Sequence, residues 1–572
     1  MQKAKRILGI ILAVLMVAAL FAGCGNKEEQ EPSAGEPADS GPNQPAETET
    51  TPEPEPEQEE EATYPFDLPY IPVTEETTIT LWCSFNPQAL TVVDSVADTS
   101  VFKAMEEITG VTIDAVSVAG NVARDAFNIL INSGEYPDII GNLSTLYKGL
   151  DAAVDDGVAI DIMPYLEEYS PNFWYLINQK PELRKYLTTD EGRIVRYTSF
   201  SMEGSLTQLG YVIRQDWLED LGMEVPQTYE ELHDTLTAFK VEKGADSGLW
   251  LNYMGLGCYN SLTNGFDVAG WYDAMQNYYP FNVIDGKVQF CWITDNMKEY
   301  LTMMNQWYEE GLVWKDFVTD APTNNVSTSN AMEKVYSDKV GVFHAEIAHI
   351  SSMPKMSESG MVLTGMSDVT KKKGDTLHNY PIPIGVGQAS WSISTDCDES
   401  KYPIIMNWID YLFTPEGSDL ASWGIQGEAH IVDENGNKKF TDLIINNPNG
   451  YSTMVTLSLY CMQAANPYLL QLDREKAVFN EAQLAAADAW VANQDGTHAY
   501  PEPVSLNAEE SGEFSTIWAD VCTYAEETIP KFIIGDLDIE KDWGEYVSTL
   551  ISLKVDRLTE LKQAAYDRYV SK

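Results

Sequence analysis

The chain has 572 residues, 44% of them hydrophobic, which is more than a single core needs and enough for two or three lobes. Its formal net charge at pH 7 is −52, and −43 of this remains after the first 64 residues are set aside. So acidic a chain excludes nucleic acid as a partner, because phosphates would be repelled, and it opposes contact with an anionic membrane surface.

Residues 1–24 have the pattern of an export signal. A basic start, Lys3 to Arg6, precedes an apolar run from Ile7 to Phe21, which is short for a membrane span. Two small residues then precede Cys24, and this ending resembles the lipobox of bacterial lipoprotein signals, with Phe21 where that family prefers leucine. We expect cleavage before Cys24 and diacylation of its thiol. The alternative is an ordinary secretory peptide with an accidental cysteine.

Residues 25–64 form an acidic tract rich in proline and glutamate. It contains too little apolar surface to offset the loss of chain entropy, so we expect it to be disordered. A flexible chain of about 40 residues spans roughly 35 Å root-mean-square, and charge repulsion extends it further. The tract therefore predicts a tether.

The first lobe is predicted to cover residues 65–206, where strands alternate with helices. The predicted elements are a strand over Thr78–Cys83, a helix over Val101–Thr109, a strand over Val111–Val118, a helix over Arg124–Ile131 and a strand over Pro137–Ile140. This order predicts a parallel sheet with right-handed crossovers, in which ligands bind beyond the carboxyl ends of the strands. That rule nominates Ser84, Phe85, Asn86 and the loop Gly141–Leu143.

A compact stretch, Leu206–Leu232, predicts the crossing into a second lobe over residues 207–379. Its apolar start predicts a strand, Asp216 is a candidate N-cap for a short helix, and Gly222 is a stop. Thr228 and Glu231 stand at capping-box spacing before a longer helix.

The remainder of the second lobe contains an irregular segment, Asn252–Tyr279, and a hairpin whose turn is Asp285-Gly286. A strand over Val340–Phe343 leads to Glu346. We expect residues 380–430 to return to the first lobe. Residues 431–572 are then predicted to form part of the second lobe and C-terminal helices.

Four blocks carry a family resemblance. They are the block RQDWLEDLGMEVPQTYEEL from Arg214, WYEEGLV from Trp307, DYLFTPEG from Asp410 with WGIQGEAH from Trp423, and QAAYDRY from Gln563. They resemble blocks of extracellular solute-binding proteins of the carbohydrate type, the lipoprotein receptors of ABC importers, although Gln426 and His430 depart from the pattern. The resemblance implies an α/β, bilobal periplasmic-binding-protein-like fold of type 2, similar to maltose-binding protein. Its two lobes would be joined by a hinge of several strands.

A sugar site needs aromatic rings for the apolar faces of the sugar and amides or carboxylates for its hydroxyls. Loops at the expected cleft supply the candidate ligand-binding residues Trp82, Asn86, Asn142, Trp271, Tyr272, Glu346 and Trp391. Trp82 and Trp391 lie near strand ends and are the candidate stacking platforms. The alternative for each aromatic is core packing, and for Glu346 it is a solvated carboxylate.

The charge of the sugar is left open by three arginines near the predicted crossing. Arg193, Arg196 and Arg214 could bind a uronic or sulfated sugar, or Arg214 could pair with Asp216 to fix the hinge. The six cysteines other than Cys24 show no zinc spacing, and their pairing is undetermined. The turn Asp433–Gly436 lacks the calcium-loop pattern, although a calcium ion elsewhere remains compatible with so acidic a chain.

The expected function is a lipid-anchored, extracytoplasmic receptor that binds a carbohydrate between two lobes and delivers it to an ABC permease. Catalytic motifs such as G-x-S-x-G, H-E-x-x-H and the P-loop are missing from the sequence, and we expect no cofactor, no catalysis and a monomer. A cell-tethered polysaccharide-degrading enzyme and a sugar-sensing subunit of a membrane kinase are the alternatives.

Overall fold

The computed structural model of the chain describes residues 77–251, 262–269, 280–319, 329–379, 385–463, 466–501 and 503–572. The predicted signal, the lipidation site at Cys24 and the predicted tether lie outside these residues, as do Trp271 and Tyr272. Residues 64–572 form one compact unit.

Strands and helices alternate through this unit. The strands are β1 (Thr77–Phe85), β2 (Val111–Ala119), β3 (Ile139–Gly141), β4 (Tyr197–Phe200), β5 (Leu209–Arg214), β6 (Leu249–Trp250), β7 (Phe281–Ile284), β8 (Lys287–Phe290), β9 (Val342–Glu346), β10 (Leu363–Met366), β11 (Val386–Ile393), β12 (His430–Val432) and β13 (Lys438–Phe440). The helices are α1 (Ser100–Thr109), α2 (Ala123–Ser133), α3 (Leu143–Leu146), α4 (Leu150–Asp155), α5 (Leu166–Tyr169), α6 (Pro171–Gln179), α7 (Pro181–Leu187), α8 (Gln215–Leu221), α9 (Tyr229–Glu242), α10 (Asp295–Glu309), α11 (Ser329–Tyr336), α12 (His349–Ser352), α13 (Tyr402–Asp410), α14 (Pro415–Trp423), α15 (Asp442–Ile445), α16 (Thr453–Tyr460), α17 (Leu472–Lys476), α18 (Glu481–Trp490), α19 (Ala508–Ile534), α20 (Ile539–Ser552) and α21 (Val555–Ser571). Of the helices within the described ranges, none has the length and apolar character that a membrane span requires.

The first lobe is built on a five-stranded sheet in the order β2-β1-β3-β11-β4. β1 pairs in parallel with β2 and β3, as the sequence predicts, while β11 runs antiparallel to β3 and β4. Side chains alternate between the two faces of the sheet. Leu81 packs against helices on one face, whereas Trp82 and Ile140 pack with Phe127 on the other. Both faces are covered, which is the usual state of a largely parallel sheet.

The second lobe is built on a four-stranded sheet in the order β10-β5-β9-β6. β5 runs antiparallel to β9 and β10, and β6 pairs in parallel with β9. Tyr211 and Ile213 belong to a large core with the C-terminal helices, while Val212 belongs to a smaller core on the opposite face. This sheet is therefore also buried on both faces.

Three chain segments connect the two lobes side by side. The first runs from β4 to β5, the second from Asn379 to β11, and the third from Leu469 to α18. Phe200 pairs with Val386 in the second segment and forms a bridge with Leu469 in the third. Gly385 lies so close to Gly204 that a Cβ atom at residue 385 would be 2.8 Å from the Gly204 carbonyl carbon. Three chain segments with described residues on both sides therefore pass between the lobes, in keeping with the hinge of several crossings that the family resemblance implies.

The boundary predicted at residue 431 differs from the structure. The described residues between 431 and 469 pack with the first lobe, where Phe440 joins the Trp423 cluster and Tyr468 joins the main core. The return to the second lobe occurs after Leu470, whose backbone N–H donates to the Phe200 carbonyl at 2.8 Å. The buried side chains of this segment pack in the first-lobe core, which an earlier crossing would not allow.

Most local signals between the lobes are confirmed. Gly222 ends α8 with φ 66°, and the Thr228 hydroxyl accepts the backbone N–H of Glu231 at 3.1 Å. The predicted N-cap at Asp216 is wrong, because α8 already begins at Gln215. The Asp216 carboxylate instead accepts two hydrogen bonds from the Arg214 guanidinium, at 2.8 and 2.6 Å. Such a charge-assisted pair is stronger than a neutral cap.

Candidate functional site

The carboxyl ends of the first-lobe strands form a polar rim. We call this the first-lobe edge and define it as Ser84, Asn86, Asn142, Ser144 and Ser390. Asn142 follows β3 in the left-handed conformation, φ 60°, and its side-chain N–H₂ donates to the Ser84 hydroxyl at 2.7 Å. The Ser144 and Ser390 hydroxyls lie 2.8 Å apart. Residues that the sequence nominates separately are therefore brought together at one edge of the sheet.

Gly141 allows this close packing. A Cβ atom there would lie 2.9 Å from the Trp82 carbonyl oxygen and 3.1 Å from the Cα of Cys83, which the backbone cannot accommodate. The turn into α3 must consequently keep glycine at this position. It also holds Asn142 at a fixed height above the sheet, where its backbone N–H donates to the Ser390 carbonyl at 2.7 Å.

Asn86 has a more structural role than the sequence predicts. Its side-chain oxygen accepts the backbone N–H groups of Gln88 and Ala89 at 2.9 and 3.2 Å. Its side-chain nitrogen donates to the Ser458 hydroxyl at 3.3 Å. The side chain is partly exposed at the edge, and its hydrogen bonds fix the loop that follows β1.

The second-lobe edge faces the crossings, because β5 starts there. We define this edge as Asn264, Glu346 and Asp368. Leu209, the first residue of β5, is paired with Glu346 at the end of β9. On the other side Tyr211 is paired with Met366, the last residue of β10, and Asp368 follows two residues later. Glu346 therefore lies beside the start of β5, and Asp368 lies in the segment after β10.

Asp368 lies in an unusual environment for a carboxylate. Burial raises the pKa of its carboxyl group to about 7, although a hydrogen bond from the Asn264 side chain at 3.2 Å opposes the shift. The carboxyl group therefore keeps its proton to a higher pH than an exposed aspartate does. The Asn264 side-chain oxygen in turn accepts the backbone N–H of Asn379 at 3.2 Å, at the start of the second crossing.

Two histidines near Glu346 are uncharged at neutral pH. Burial lowers the pKa of His344 to about 4, and its ring meets the Tyr211 ring edge-on at 5.6 Å. Burial also lowers the pKa of His349, with Glu346 opposing the shift. The backbone N–H of Glu346 donates to the His349 ring nitrogen Nδ1 at 3.2 Å, which requires that nitrogen to be unprotonated. These imidazoles bring no positive charge to the second-lobe edge.

A further polar group beside the second-lobe edge is not predicted from sequence. The Asp267 carboxylate accepts a hydrogen bond from the side-chain N–H₂ of Asn379 at 2.6 Å. The same carboxylate lies 2.8 Å from His498 Nδ1. The rings of His498 and His378 lie 4.6 Å apart. Asn264 and Asp267 fall within Asn252–Tyr279, the segment that the sequence marks as irregular, so its unusual composition was the available signal.

Several polar atoms around the crossings have no hydrogen-bond partner among the described residues. They are the side-chain oxygens of Asn142, Thr207 and Asn379, each enclosed by the protein. Buried polar groups are almost always satisfied, and an unsatisfied one calls for a partner from water or ligand. Two of the three are amide carbonyl oxygens, which can only accept hydrogen bonds.

Trp82 and Trp391 are not stacking platforms, which corrects the prediction. Trp82 is 5% exposed and packs on Phe127, with ring centroids 5.8 Å apart. Trp391 is 0% exposed and lies in the main core of the first lobe. A ring covered on both faces offers no surface to a sugar. The alternative that the sequence left open, core packing, applies to both residues, while Trp271 and Tyr272 lie outside the described residues.

The three arginines do not form a cluster. Arg193 bonds to Asp155 at 2.8 Å, and Arg214 pairs with Asp216 and Asp338 at the end of β5 that points away from the crossing. Arg214 therefore pairs with Asp216 as expected, but the pair does not lie at the hinge.

The remaining predictions about ions and cysteines concern other regions. Within the described ranges, no group of three or more His, Cys, Asp or Glu side chains is placed to hold a metal ion. Asp433 accepts backbone N–H groups of Asn435 and Asn437 in the predicted turn. The free cysteines among the described residues are Cys83, Cys291, Cys397, Cys461 and Cys522.

The chain is similar to known proteins across its folded unit. A model of the family described as bacterial extracellular solute-binding protein matches residues 92–418. The fructooligosaccharide ABC transporter substrate-binding protein FusA of Streptococcus pneumoniae serotype 4 is 24% identical over 497 residues, or 82% of this chain and 87% of FusA. Lipoprotein LipO of Bacillus subtilis is 24% identical over 480 residues, or 78% and 84%. An extracellular solute-binding protein from Bifidobacterium longum subsp. infantis superposes with a TM-score of 0.70 at 18% identity, covering 87% of this chain and all of its own.

Proposed function

Because the chain belongs to the family of bacterial extracellular solute-binding proteins, we propose that it is a lipid-anchored receptor for an oligosaccharide. The ligand binds between the two lobes, and the loaded receptor delivers it to the permease subunits of an ABC importer. The receptor acts as a monomer on the outer face of the cell membrane and releases its ligand unaltered.

The observation that carries this proposal is the pair of polar edges, one on the central sheet of each lobe, near the segments that pass between the lobes. The first-lobe edge offers hydroxyl and amide groups, and the second-lobe edge offers two carboxylates and an amide. Hydroxyl-rich ligands are bound by such groups, which fix orientation through many hydrogen bonds. The unpartnered oxygens of Asn142 and Asn379 lie on the two sides of this arrangement and are suited to sugar hydroxyl donors.

Lobe closure follows from this geometry. A ligand can bind both edges at once only when the lobes approach each other, so it favours the closed form by the free energy of the hydrogen bonds that form only there. The three neighbouring crossings favour motion by bending about the hinge. The name of FusA refers to fructooligosaccharide and to an ABC transporter, and this supports the same role here.

The anchor is part of the proposal. Cys24 follows the apolar signal and two small residues, and the tract after it would allow the folded unit to move above the membrane. The name of LipO describes a lipoprotein, which supports lipidation in this chain. A single lipid-modified cysteine with two acyl chains is sufficient for stable attachment, whereas one chain is marginal.

The experiment is a binding screen on the protein that carries Cys24→Ser. A ligand at 100 times its dissociation constant should raise the free energy of unfolding by about 2.7 kcal/mol, which a thermal-shift assay detects. Calorimetry then gives the stoichiometry, which we expect to be one. Mass spectrometry of the recovered oligosaccharide should show no shortening. Cleavage that disappears in Glu346→Gln would instead identify an enzyme.

A further inference from the structure

We propose that the ligand is a neutral oligosaccharide, which carries hydroxyl groups but no carboxylate, sulfate or phosphate. This inference rests on the proposed function and concerns the charge and hydrogen-bond character of the same site. It concerns the charge of the sugar, which the three arginines in the sequence leave open.

The positions of all basic side chains in the folded unit can be followed. The chain has 36 lysines and arginines, and four of them precede residue 77. The segments between the described ranges contain no lysine or arginine in their sequence, so the other 32 lie in the described residues. The basic side chains near the two edges are therefore among the described residues.

The arginines nominated for an acidic sugar have other partners or positions. Arg193 and Arg214 are neutralised by aspartates. Arg196 is 8% exposed, and its guanidinium lies over the Tyr186 ring at 5.2 Å. Three positive charges that the sequence brings together are consequently distributed over separate parts of the fold.

Cations beside the crossings donate to backbone carbonyls. Lys180 donates to the Ser201 carbonyl at 3.4 Å, and Arg474, which is 7% exposed, donates to the Ser422 carbonyl at 3.3 Å. Lys401 pairs with Asp138 at 2.9 Å, beside the Thr78 carbonyl, and hence at the amino end of β1 rather than the carboxyl end. These side chains hold the hinge and the opposite end of the sheet.

Arg124 forms a hydrogen bond next to the first-lobe edge. It is exposed, and its guanidinium donates to the Thr145 carbonyl at 3.4 Å. Among the described residues it is the one basic side chain with a hydrogen bond to α3, the helix that follows Asn142. An oligogalacturonide or alginate oligosaccharide has one charge on each sugar unit and would need several such partners.

Acidic side chains also lie beside the crossings. Glu346 is on the second-lobe edge, and the Glu475 carboxylate in the third crossing lies 3.5 Å from the Leu206 backbone nitrogen. The unpartnered oxygens of Asn142 and Asn379 also only accept. A sugar hydroxyl can donate to all of these, whereas a carboxylate or sulfate can only accept. An anionic sugar would therefore meet both charge repulsion and a mismatch of hydrogen bonds.

The test compares two sets of probes of equal length by calorimetry. The neutral set contains fructo-, galacto-, xylo- and malto-oligosaccharides, and the acidic set contains oligogalacturonides and alginate oligosaccharides. The protein is the full chain with Cys24→Ser, used as wild type and as Arg124→Gln, and each titration is run at 50 and 500 mM NaCl. Salt screens charge–charge attraction over a few ångströms and leaves neutral hydrogen bonds unaffected.

We expect at least one neutral probe to bind at least 100-fold more tightly than every acidic probe. Its dissociation constant should change less than twofold between the two salt concentrations and less than threefold in Arg124→Gln. An acidic probe that binds most tightly, and weakens tenfold with salt or with Arg124→Gln, would overturn the inference and leave the proposed function standing. Binding of neither set would overturn the proposed function, and the inference with it.

Discussion

The indole rings of Trp391 and Trp408 lie parallel in the first-lobe core, with centroids 5.5 Å apart and planes inclined by 2°. Trp391 comes from β11 and Trp408 from α13, so the contact joins the sheet to the helix that covers it. Both residues are 0% exposed, and neither ring nitrogen has a hydrogen-bond partner. The pair is a packing contact. The free energy gained by burying the two rings offsets the loss from their unsatisfied N–H groups.

Trp391→Ala should therefore destabilise the protein rather than weaken ligand binding directly. Truncation of a buried tryptophan costs about 3–5 kcal/mol of unfolding free energy, because a cavity remains. Urea unfolding measures this loss, and Trp391→Phe provides a milder change at the same site. A variant that keeps its stability but loses affinity for the oligosaccharide would return Trp391 to the binding site.

The sequence contained a signal for the position of Trp391. In β11 the order Ser390-Trp391-Ser392-Ile393 alternates, and the apolar pair shares the face that packs on α13. The position of Trp391 near a strand end suggested that it contacts the ligand. Side chains in a strand alternate between its two faces, and this alternation decides whether Trp391 points into the cleft or into the core. The partner helix α13 is close in sequence, yet only the folded chain shows that its tryptophan stacks on this one.

Asp368→Asn should change how stability depends on pH. Burial raises the pKa of Asp368 to about 7, while an unfolded aspartate titrates near 3.9. Between these values the folded protein retains a proton that the unfolded chain has released. The free energy of unfolding therefore falls as pH rises from about 4 to about 7, and it is level above that range.

Wild type should lose on the order of 1–4 kcal/mol more unfolding free energy than Asp368→Asn between pH 4.5 and pH 7.5. Urea titrations at the two pH values give this difference. Burial also raises the pKa of Asp410 to about 7, so some pH dependence should persist in both proteins. If the variant and wild type change equally with pH, Asp368 is ionised in the folded protein.

Asp190→Asn should weaken a contact between the lobes. Asp190 in the first lobe accepts hydrogen bonds from Arg568 and Lys572 of α21 and its end at 3.1 and 2.7 Å. α21 is packed in the second-lobe core through Leu558 and Leu561. These partly buried pairs should contribute about 1–2 kcal/mol, more than an exposed pair of roughly 0–1 kcal/mol.

The control for this change is Asp473→Asn, which removes the exposed partner of Lys476 in α17. Denaturant unfolding at low and high salt should show a clear loss for Asp190→Asn, decreasing with salt, and little change for Asp473→Asn. Equal effects of the two substitutions would mean that the contact between the lobes contributes no more than a surface pair.

Cys24→Ser should release the protein from cells into the medium. The prediction rests on the small residues before Cys24, and it requires that the lipid is the sole anchor. Cell fractionation followed by immunoblotting measures the distribution. The melting temperature of the folded unit should be unaffected, since the residue lies 40 positions before that unit begins at Tyr64. Retention in the membrane fraction would show a different mode of attachment.

Local chemistry explains which parts of the fold were predictable. The parallel strands, the helix end at Gly222 and the Thr228 cap depend on neighbouring residues, and the sequence indicates each of them. The group around Asp267 depends on contacts with Asn379 and His498, more than 100 positions away, so spacing alone could not reveal it. The same holds for the late return to the second lobe, which depends on where buried side chains find a core.

Hydrogen–deuterium exchange with and without the tightest neutral oligosaccharide tests whether the ligand bridges the lobes, because it reports on both edges in one experiment. We predict slower exchange after ligand addition in residues 84–86 and 142–144 of the first lobe, and also in residues 264–269 and 346–349 of the second. Residues 433–437, a surface turn in the first lobe, should exchange at the same rate in both samples. Protection confined to one lobe, or found only at surfaces away from the two edges, would contradict a ligand that bridges the lobes.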